Sequence, residues 1–415
     1  MKVAILHYAA PPVVGGVEQT IHYHALELAA AGHTVRVLAG AGRPFDPRVE
    51  LAIVPEFGSS HPGVAAIKRQ LDQGKVAAEF NVLRGRLLAL LLEALDGVDA
   101  LIAHNVFTLH KNLPLTAALH EWTQRRQRDP VAAAGHPFTI LGWHHDLAWD
   151  NPRYRKELRA GYPWDLLRTP WTGVRHVTVS AAQQARLAAL YGIRPEEIAV
   201  VPPGVDAARF FRWTETTCWL VNELGLLQAG PLLLLPARLT RRKNVEMALR
   251  ILAALRCQGG PDARLIVTGP PGPHNPANAA YLQQLLELRA QLGLNDAAHL
   301  LYEQGIVPDD ATMADLYQLA DALLFPSTQE GFGIPLLEAG LARLPIFCSD
   351  IPPFREIGQG EVHLFSLNAS PSEVAALIQQ RLGSDPVATL RRRVWADHLW
   401  GAIVRRRVIP LLEAR

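Results

Sequence analysis

The chain alternates between two spacings of apolar side chains. Short apolar runs, typical of buried β-strands, are followed by segments in which apolar residues recur every three or four positions, as on one helix face. Residues 3–6 form the first such run, and Ile21, Ala25 and Leu28 share one face of the helix predicted after it. Further apolar runs in this half of the chain lie at 34–40, 99–104, 138–143, 177–180 and 198–206.

The alternation restarts after an irregular, proline-containing stretch at 202–231. An apolar run at 231–239 opens a second series of strands and helices. Such alternation is typical of parallel sheets that are covered on both faces. We therefore predict an α/β fold with two Rossmann-like domains, at 1–203 and 204–386, followed by an arginine-rich helical segment at 387–415.

Composition narrows the class of protein. Of the 415 residues, 49% are hydrophobic and 19% are charged, which allows a large core and argues against disorder. The net charge of +2 gives no reason to expect a nucleic-acid partner. Cys218, Cys257 and Cys348 are too widely spaced for a paired metal or disulfide motif, which is typical of a reducing compartment.

The apolar segments are shorter than a membrane span. The apolar N-terminus is too short for a secretory signal and is predicted to be the first strand. The longest apolar run, 87–95, is about half the length that a bilayer requires, and Glu93 interrupts it. We expect a soluble, cytoplasmic protein. Its arginine-rich end is interpreted as solvated, with peripheral contact to the inner face of an anionic membrane as the alternative.

Candidate chemistry lies where predicted strands give way to helices, because open α/β sheets bind ligands beyond the carboxyl ends of their strands. Glu330 follows one such strand, precedes a Gly-Phe-Gly triplet and stands eight residues before Glu338. A helix is predicted to begin near Ile334, and amides at its start favour phosphate oxygens. Each carboxylate could accept hydrogen bonds from a diol. The alternatives are a favourable helix-start charge for Glu330 and a solvated helix face for Glu338.

Two further segments could bind an anion. Arg238 and Lys243, at the turn after the 231–239 strand, could converge on a phosphate, and the alternative is a solvated basic turn. Gly15 and Gly16 precede the first helix, where a close backbone approach to a ligand and a simple tight turn are both open interpretations.

His144 and His145 end another predicted strand. Neighbouring strand residues point to opposite faces, so we do not expect the two to share a metal ion. Either one histidine meets a substrate hydroxyl, or both belong to a loop packed with polar side chains. If the two domains face each other, the natural ligand site is the cleft between them.

Five segments, in this order, resemble the family 4 retaining glycosyltransferases (glycosyl transferases group 1), which have the two-domain GT-B fold. They are PPVVGGVEQ, WHHD, IAVVPPGVD, ARLTRRKN and EGFGIPLLE, and the resemblance covers nearly the whole chain. It implies two facing Rossmann-like domains and a C-terminal helix that crosses back to the N-terminal domain.

The resemblance also implies a role for each candidate residue. His145, rather than His144, is the implied catalytic histidine. Arg238 and Lys243 are implied to bind the donor's diphosphate, and Glu330 to lie beside the donor sugar. The implied donor contacts are Gly15, Gly16, Gly331, Phe332, Gly333, Ile334, Ile306, Val307 and, at the nucleotide ribose, Glu338; the implied acceptor contacts are His104 and Asn105.

The implied activity is retaining transfer of a hexose from a nucleoside-diphosphate sugar to a hydroxyl acceptor. Cations and helix-end amides would stabilise the charge that develops on the leaving diphosphate. Because the chain contains no D-x-D triplet, we expect neither a metal nor another cofactor beside the donor. The alternatives are a GT-B epimerase or phosphorylase, and a non-catalytic nucleotide- or carbohydrate-binding protein. The missing G-x-G-x-x-G fingerprint argues against a dehydrogenase.

Overall fold

The chain divides into two compact units in the computed structural model. The units are Met1–Val205 with His398–Arg415, and Asp206–Asp397. The sequence predicts boundaries after residues 203 and 386, whereas the compact units divide after Val205 and Asp397. The structure describes residues 1–128, 138–260, 262–272 and 277–414, without the side chains of 277–279.

The first unit is built on a parallel sheet of seven strands. The strands are β1 (Lys2–His7), β2 (Thr34–Ala39), β3 (Val49–Ile53), β4 (Ala100–His104), β5 (Thr139–His144), β6 (Arg175–Thr178) and β7 (Ile198–Val200). Their order is β3-β2-β1-β4-β5-β6-β7, with every neighbouring pair parallel. The order reverses between β1 and β4, so their carboxyl ends flank the point where such sheets bind ligands.

Helices pack on both faces of this sheet. They are α1 (Gly16–Ala30), α2 (Pro62–Asp72), α3 (Ala78–Ala94), α4 (Leu113–Arg128) and α5 (Ala181–Tyr191), with 3-10 turns at Pro55–Phe57, His110–Asn112, Pro152–Glu157, Trp164–Leu167 and Pro195–Glu197. Ala4 and Leu6 of β1 belong to the apolar cluster of α3 and α4, whereas Val3 and Ile5 belong to that of α1. This is the two-residue period of a strand that is buried on both faces.

The second unit repeats the architecture with six parallel strands. They are β8 (Leu232–Leu235), β9 (Arg264–Val267), β10 (Ala298–Leu300), β11 (Ala322–Phe325), β12 (Ile346–Ser349) and β13 (His363–Phe365), in the order β10-β9-β8-β11-β12-β13. The helices are α6 (Ala207–Phe211), α7 (Glu215–Glu223), α8 (Val245–Cys257), α9 (Ala277–Gln291), α10 (Asp310–Leu319), α11 (Ile334–Leu341), α12 (Pro352–Gly358), α13 (Pro371–Ser384) and α14 (Pro386–Asp397), with 3-10 turns at Leu226–Gln228, Arg241–Lys243 and Leu301–Gln304.

The end of the chain belongs to the first unit, as expected for this fold. It comprises α15 (Trp400–Ile403), a π-helical turn (Val404–Val408) and α16 (Ile409–Glu413). Val408 and Leu412 are buried in the apolar cluster of α1, and burial of such a side chain stabilises a fold by about 1.5–3 kcal/mol. The predicted segment 387–415 is thus divided, because α14 belongs to the second unit.

The prediction of two Rossmann-like sheets is confirmed, but three strands were missed. β3, β12 and β13 have five, four and three residues, too few for the apolar period to register against the neighbouring turns. In the second unit, β10 ends at Leu300 and a 3-10 turn follows it. Among the described residues, no helix combines the length and apolar character that a membrane span needs.

Candidate functional site

The loop between β11 and α11 leaves backbone amides without side-chain partners. Glu330 lies in this loop, and α11 begins at Ile334, as predicted. Gly333 precedes the helix with a φ of 131°, and a Cβ there would lie 2.9 Å from Phe354 Cε1, so the position requires glycine. In the described part of the chain no side chain caps the first turn. Pro335 has no N–H, and the Leu336 N–H donates to the Gly333 carbonyl at 2.9 Å. The N–H groups of residues 331–334 have no hydrogen-bond partner among the described residues, so these groups and the helix dipole are available to an anion.

Glu330 accepts hydrogen bonds from two cations of the basic turn after β8. Its Oε1 lies 2.5 Å from Lys243 Nζ, and its Oε2 lies 2.8 Å from Arg242 Nη1. The side chains of Glu330 and Lys243 are 9% and 12% exposed, so salt screens this pair little. Burial alone would raise the pKa of Glu330, but the hydrogen bonds and charges of Lys243 and Arg242 outweigh it and lower that pKa. The carboxylate is ionised at neutral pH.

Arg242 was not singled out from the sequence. Its carbonyl oxygen also accepts a 2.8 Å hydrogen bond from the Thr328 N–H, so the backbone ties the basic turn to the loop before α11. The basic run from Arg241 to Lys243 is the only signal in the sequence. Which of its side chains points to Glu330 depends on the 3-10 turn, whose side-chain directions a single sequence does not reveal.

Arg238 does not share this ion pair. It is exposed, and none of the residues described pairs or hydrogen-bonds with its guanidinium. Its backbone is held closely, because a Cβ at Gly269 would lie 2.6 Å from the Arg238 nitrogen. The convergence of Arg238 and Lys243 on one phosphate stays a prediction, since in this structure Lys243 is held by Glu330.

The other candidates of the second unit are exposed, except Ile306, which is half-buried. Glu338 is exposed on α11, and its Oε2 accepts a 2.5 Å hydrogen bond from the Tyr317 hydroxyl. Ile306 is half-buried, and its N–H donates to the Leu301 carbonyl at 3.1 Å. The remaining predicted donor contacts of this unit are exposed: Gly331, Phe332, Ile334 and Val307.

In the first unit, α1 also begins without a side-chain cap among the residues described. No described atom lies within 4 Å of the place that a Cβ on Gly16 would take, so packing of the protein does not require glycine there. A Cβ on Gly15 would instead collide with the Glu18 carboxylate. Because that carboxylate would repel a phosphate, Gly16 offers the more suitable open backbone.

Asn105 organises the turn that carries His145. It has a φ of 62°, and its Oδ1 accepts the backbone N–H groups of His145 at 2.8 Å and Asp146 at 3.2 Å. Nε2 of His145 lies 3.0 Å from Nδ1 of His104. His104 and Asn105 are only 0% and 2% exposed. Both side chains contact neighbouring protein groups, and their predicted contact with an acceptor stays a prediction.

The sequence analysis named His104 and His144, but it missed the row of histidines across the first sheet to which both belong. Neighbouring strands β1, β4, β5 and β6 carry His7, His104, His144 and His176, and His144 Nε2 lies 3.0 Å from His176 Nδ1. Burial lowers the pKa of all four. Burial and, less strongly, His7 lower the pKa of His145 to about 3. These rings are uncharged at neutral pH, so they offer neutral hydrogen bonds.

Two Rossmann-like units with polar groups at their strand ends define an α/β protein of the GT-B type. A family model described as Glycosyltransferase Family 4 matches residues 14–209, and one described as Glycosyl transferases group 1 matches residues 222–393. The chain belongs to the family 4 glycosyltransferases. It is therefore an enzyme of class EC 2.4, as the sequence predicted.

Relatives of similar length are glycosyltransferases or sugar-conjugate synthases by name. MMP alpha-(1->4)-mannosyltransferase of Mycolicibacterium hassiacum is 25% identical over 92% of this chain and 90% of its own. Mannosylglucosylglycerate synthase of Thermotoga maritima is 24% identical over 91% and 92%. Anabaena Alr3699/HepE in complex with UDP-glucose aligns over 100% of this chain and 97% of its own at 17% identity, but its TM-score of 0.35 is too low to support an inference.

Proposed function

We propose that this chain transfers a hexose from a nucleoside-diphosphate sugar to a hydroxyl acceptor, with retention of configuration and without a metal ion. One observation carries the proposal. The ion pair of Lys243 and Glu330 involves the loop that leads into the uncapped first turn of α11. A cation, free helix amides and a carboxylate in one region suit a ligand that has both a diphosphate and hydroxyl groups.

Lys243 and the amides of α11 act on the leaving group in this proposal. Negative charge grows on the diphosphate as its bond to the sugar breaks, and donors already held in place stabilise that charge. Arg242, 2.8 Å from Glu330, is a third source of positive charge. When Lys243 donates to a phosphate oxygen of the donor, its bond to Glu330 weakens, and Glu330 can then accept hydrogen bonds from sugar hydroxyls.

His145 acts as an uncharged hydrogen-bonding group near the reacting carbon. With a pKa lowered to about 3, it does not supply positive charge at neutral pH. Its Nε2 is engaged with His104, which leaves Nδ1 for a substrate hydroxyl. The leaving diphosphate then takes the acceptor's proton on the face from which it departs. Attack on that same face gives retention.

The remaining details rest on composition and on the relatives. The names of the two full-length relatives include mannosyltransferase and mannosylglucosylglycerate synthase, which supports a hexose donor. The absence of a D-x-D triplet supports independence from a divalent metal ion. The three cysteines form no disulfide, which favours the cytoplasm. If the acceptor is a lipid, the protein contacts the inner face of the membrane peripherally.

Ligand binding tests the donor site first. UDP, GDP and ADP are compared by thermal shift, each with excess EDTA and with MgCl₂. We expect at least one of them to raise the melting temperature in EDTA, because bound ligand stabilises the folded state. If none of the three stabilises the protein, the proposed donor site is wrong.

Product analysis tests the reaction. The matching nucleotide hexoses are incubated with a panel of small hydroxyl acceptors, and ¹H NMR records the anomeric configuration in the first minutes. We expect a glycoside with the donor's configuration, at a rate that EDTA does not change. An epimerised donor or a sugar phosphate would instead establish the epimerase or the phosphorylase. Tight nucleotide binding without turnover of any donor would establish a binding protein.

A further inference from the structure

Tyr317 donates a hydrogen bond to Glu338, the carboxylate for which the family resemblance implies a contact with the ribose. It belongs to α10, its side chain is 5% exposed, and its hydroxyl donates to Glu338 Oε2 at 2.5 Å. A buried tyrosine hydroxyl needs an acceptor, and a carboxylate is a strong one. The contact therefore joins a rigid, buried ring to an exposed carboxylate on α11.

The hydroxyl of Tyr317 acts as a donor in this contact at physiological pH. Burial and the neighbouring carboxylate of Glu338 both raise the pKa of the phenol above its ordinary value, so it stays protonated. An ionised carboxylate is acceptor-only. The roles in the pair are thus assigned: Tyr317 donates, Glu338 Oε2 accepts.

The same contact leaves the other carboxylate oxygen unoccupied. Within the described ranges, the Glu338 side chain forms no hydrogen bond or ion pair other than that with Tyr317. Oε1 is therefore a free acceptor on a side chain that would otherwise rotate in solvent. Ribose presents two neighbouring hydroxyl donors to such an acceptor. Immobilising a side chain of this kind costs about 0.5–1.5 kcal/mol on binding. The hydrogen bond from Tyr317 restricts the Glu338 side chain before the ligand binds.

We propose that Tyr317 is a positioning residue that orients Glu338 toward the ribose hydroxyls, so that the pair selects ribonucleoside diphosphates over analogues without those hydroxyls. The inference rests on the proposed function, and within it on the contact between Glu338 and the nucleotide ribose that the family resemblance implies. It adds a residue that neither the spacing of motifs nor the family resemblance indicated.

A second tyrosine of the same unit provides a matched control. Tyr281 is 1% exposed on α9, and its hydroxyl donates to Glu246 Oε2. Burial and that carboxylate likewise raise its pKa. Glu246 has no part in the proposed donor site. Tyr281→Phe and Tyr317→Phe therefore remove the same atom from the same kind of contact.

The test measures discrimination, which a purely structural role would not change. Isothermal titration gives the Kd of whichever of UDP, GDP and ADP binds most tightly, and of its 2′,3′-dideoxy counterpart. The wild type should prefer the ribonucleotide. Tyr317→Phe should weaken ribonucleotide binding roughly 3- to 10-fold and dideoxynucleotide binding less, so the preference shrinks. Tyr281→Phe should keep it. With the matching donor, Tyr317→Phe should raise KM and leave kcat within about twofold.

Two results would overturn the inference in distinguishable ways. If Glu338→Ala loses the preference while Tyr317→Phe keeps it in full, Tyr317 does not orient the carboxylate and the proposed function stands. If Glu338→Ala, which removes both acceptor oxygens, also keeps the preference, the ribose contact itself is wrong, and the proposed donor site loses that part. Thermal melting of each variant without ligand shows that a change in preference is not a loss of folding.

Discussion

The two units present opposite kinds of polar groups at their strand ends. In the first unit these are buried imidazoles, and burial lowers the pKa of each, that of His145 to about 3 and that of His176 to about 4. In the second unit they are charges that stabilise one another, with Glu330 held by Lys243 and Arg242. Burial opposes charge at the strand ends of both units, and at Glu330 the counter-charges of Lys243 and Arg242 outweigh it.

In the proposed mechanism, this difference separates two roles in the glycosyl transfer. Groups that must stabilise a growing negative charge need to be charged themselves, and the basic turn meets that requirement. Groups that align hydroxyls need direction more than charge, and hydrogen-bonded neutral rings such as His104 and His145 provide it. The contrast predicts that the first unit is sensitive to acid, whereas the second is sensitive to the removal of single charges.

Acid should destabilise the first unit far more than the second. Burial lowers the pKa of His24 and His145 to about 3 and of His176 to about 4, whereas an unfolded histidine titrates near 6.5. The unfolded chain therefore binds more protons, so the stability that these groups support is present above pH 6.5 and is lost as pH falls. Between pH 6.5 and its folded pKa, each histidine lowers the free energy of unfolding by about 1.4 kcal/mol for every unit that the pH falls. The three together lower it by roughly 4 kcal/mol per pH unit.

Hydrogen exchange measured by mass spectrometry at pH 7 and pH 5.5, corrected for intrinsic rates, checks this expectation strand by strand. Protection of β1, β4 and β5 should fall much more than that of β8 and β11. His299 is a buried histidine of the second unit, and burial lowers its pKa to about 4. The second sheet should therefore also lose some protection in acid, which reduces the difference between the two sheets but does not abolish it. Equal losses in the two sheets would contradict the contrast.

Loss of one cation from the second unit should have the next largest effect. Lys243→Ala removes the ammonium 2.5 Å from Glu330 and should lower turnover on the order of 100-fold, as the loss of one transition-state donor does. Arg241→Ala is the matched control, because Arg241 belongs to the same turn but bonds Gln284 and not Glu330. The measurement compares steady-state turnover of the wild type and both variants with the donor identified by thermal shift. Turnover of Lys243→Ala within about threefold of the wild type would remove Lys243 from the mechanism.

Local features of the chain were predictable from sequence. Alternating apolar periods gave both sheets, and the spacing around Glu330 correctly placed the start of α11 at Ile334. The residues around the boundary were enough for this prediction, because helix starts and strand ends depend on neighbours a few residues away in sequence. The short strands β3, β12 and β13 escaped, since three to five residues carry too little periodic signal.

Contacts between distant segments were not predictable. Arg242 meets Glu330 across 88 residues of sequence, and Tyr317 meets Glu338 across 21. Histidines that look scattered, such as His104 and His176, share a row only because β4, β5 and β6 are neighbours in the sheet. Strand order and side-chain direction create these contacts, and neither is encoded in the local period from which a single sequence is interpreted.

The smallest of these effects should come from His104. Its Nδ1 lies 3.0 Å from His145 Nε2, and in the proposed mechanism this contact leaves Nδ1 of His145 for the substrate. His104→Phe keeps a flat ring but removes this hydrogen bond, which is worth about 0.5–1.5 kcal/mol, so kcat should fall up to about 10-fold with little change in donor KM. His104→Asn carries a polar atom close to the position of Nδ1 and should recover part of the loss. His104→Gln carries it near Nε2 and should not.

His24 distinguishes positioning from packing in this experiment. It is 0% exposed beside Trp143, with ring centroids 4.6 Å apart. Neither of its ring nitrogens has a hydrogen-bond partner among the residues described. His24→Phe should therefore leave kcat unchanged and hold or raise the melting temperature, because it removes buried polar atoms that nothing satisfies. If His24→Phe lowers kcat as much as His104→Phe does, the row of rings serves packing alone. If Asn and Gln at position 104 behave alike, the hydrogen bond to His145 does not set its orientation.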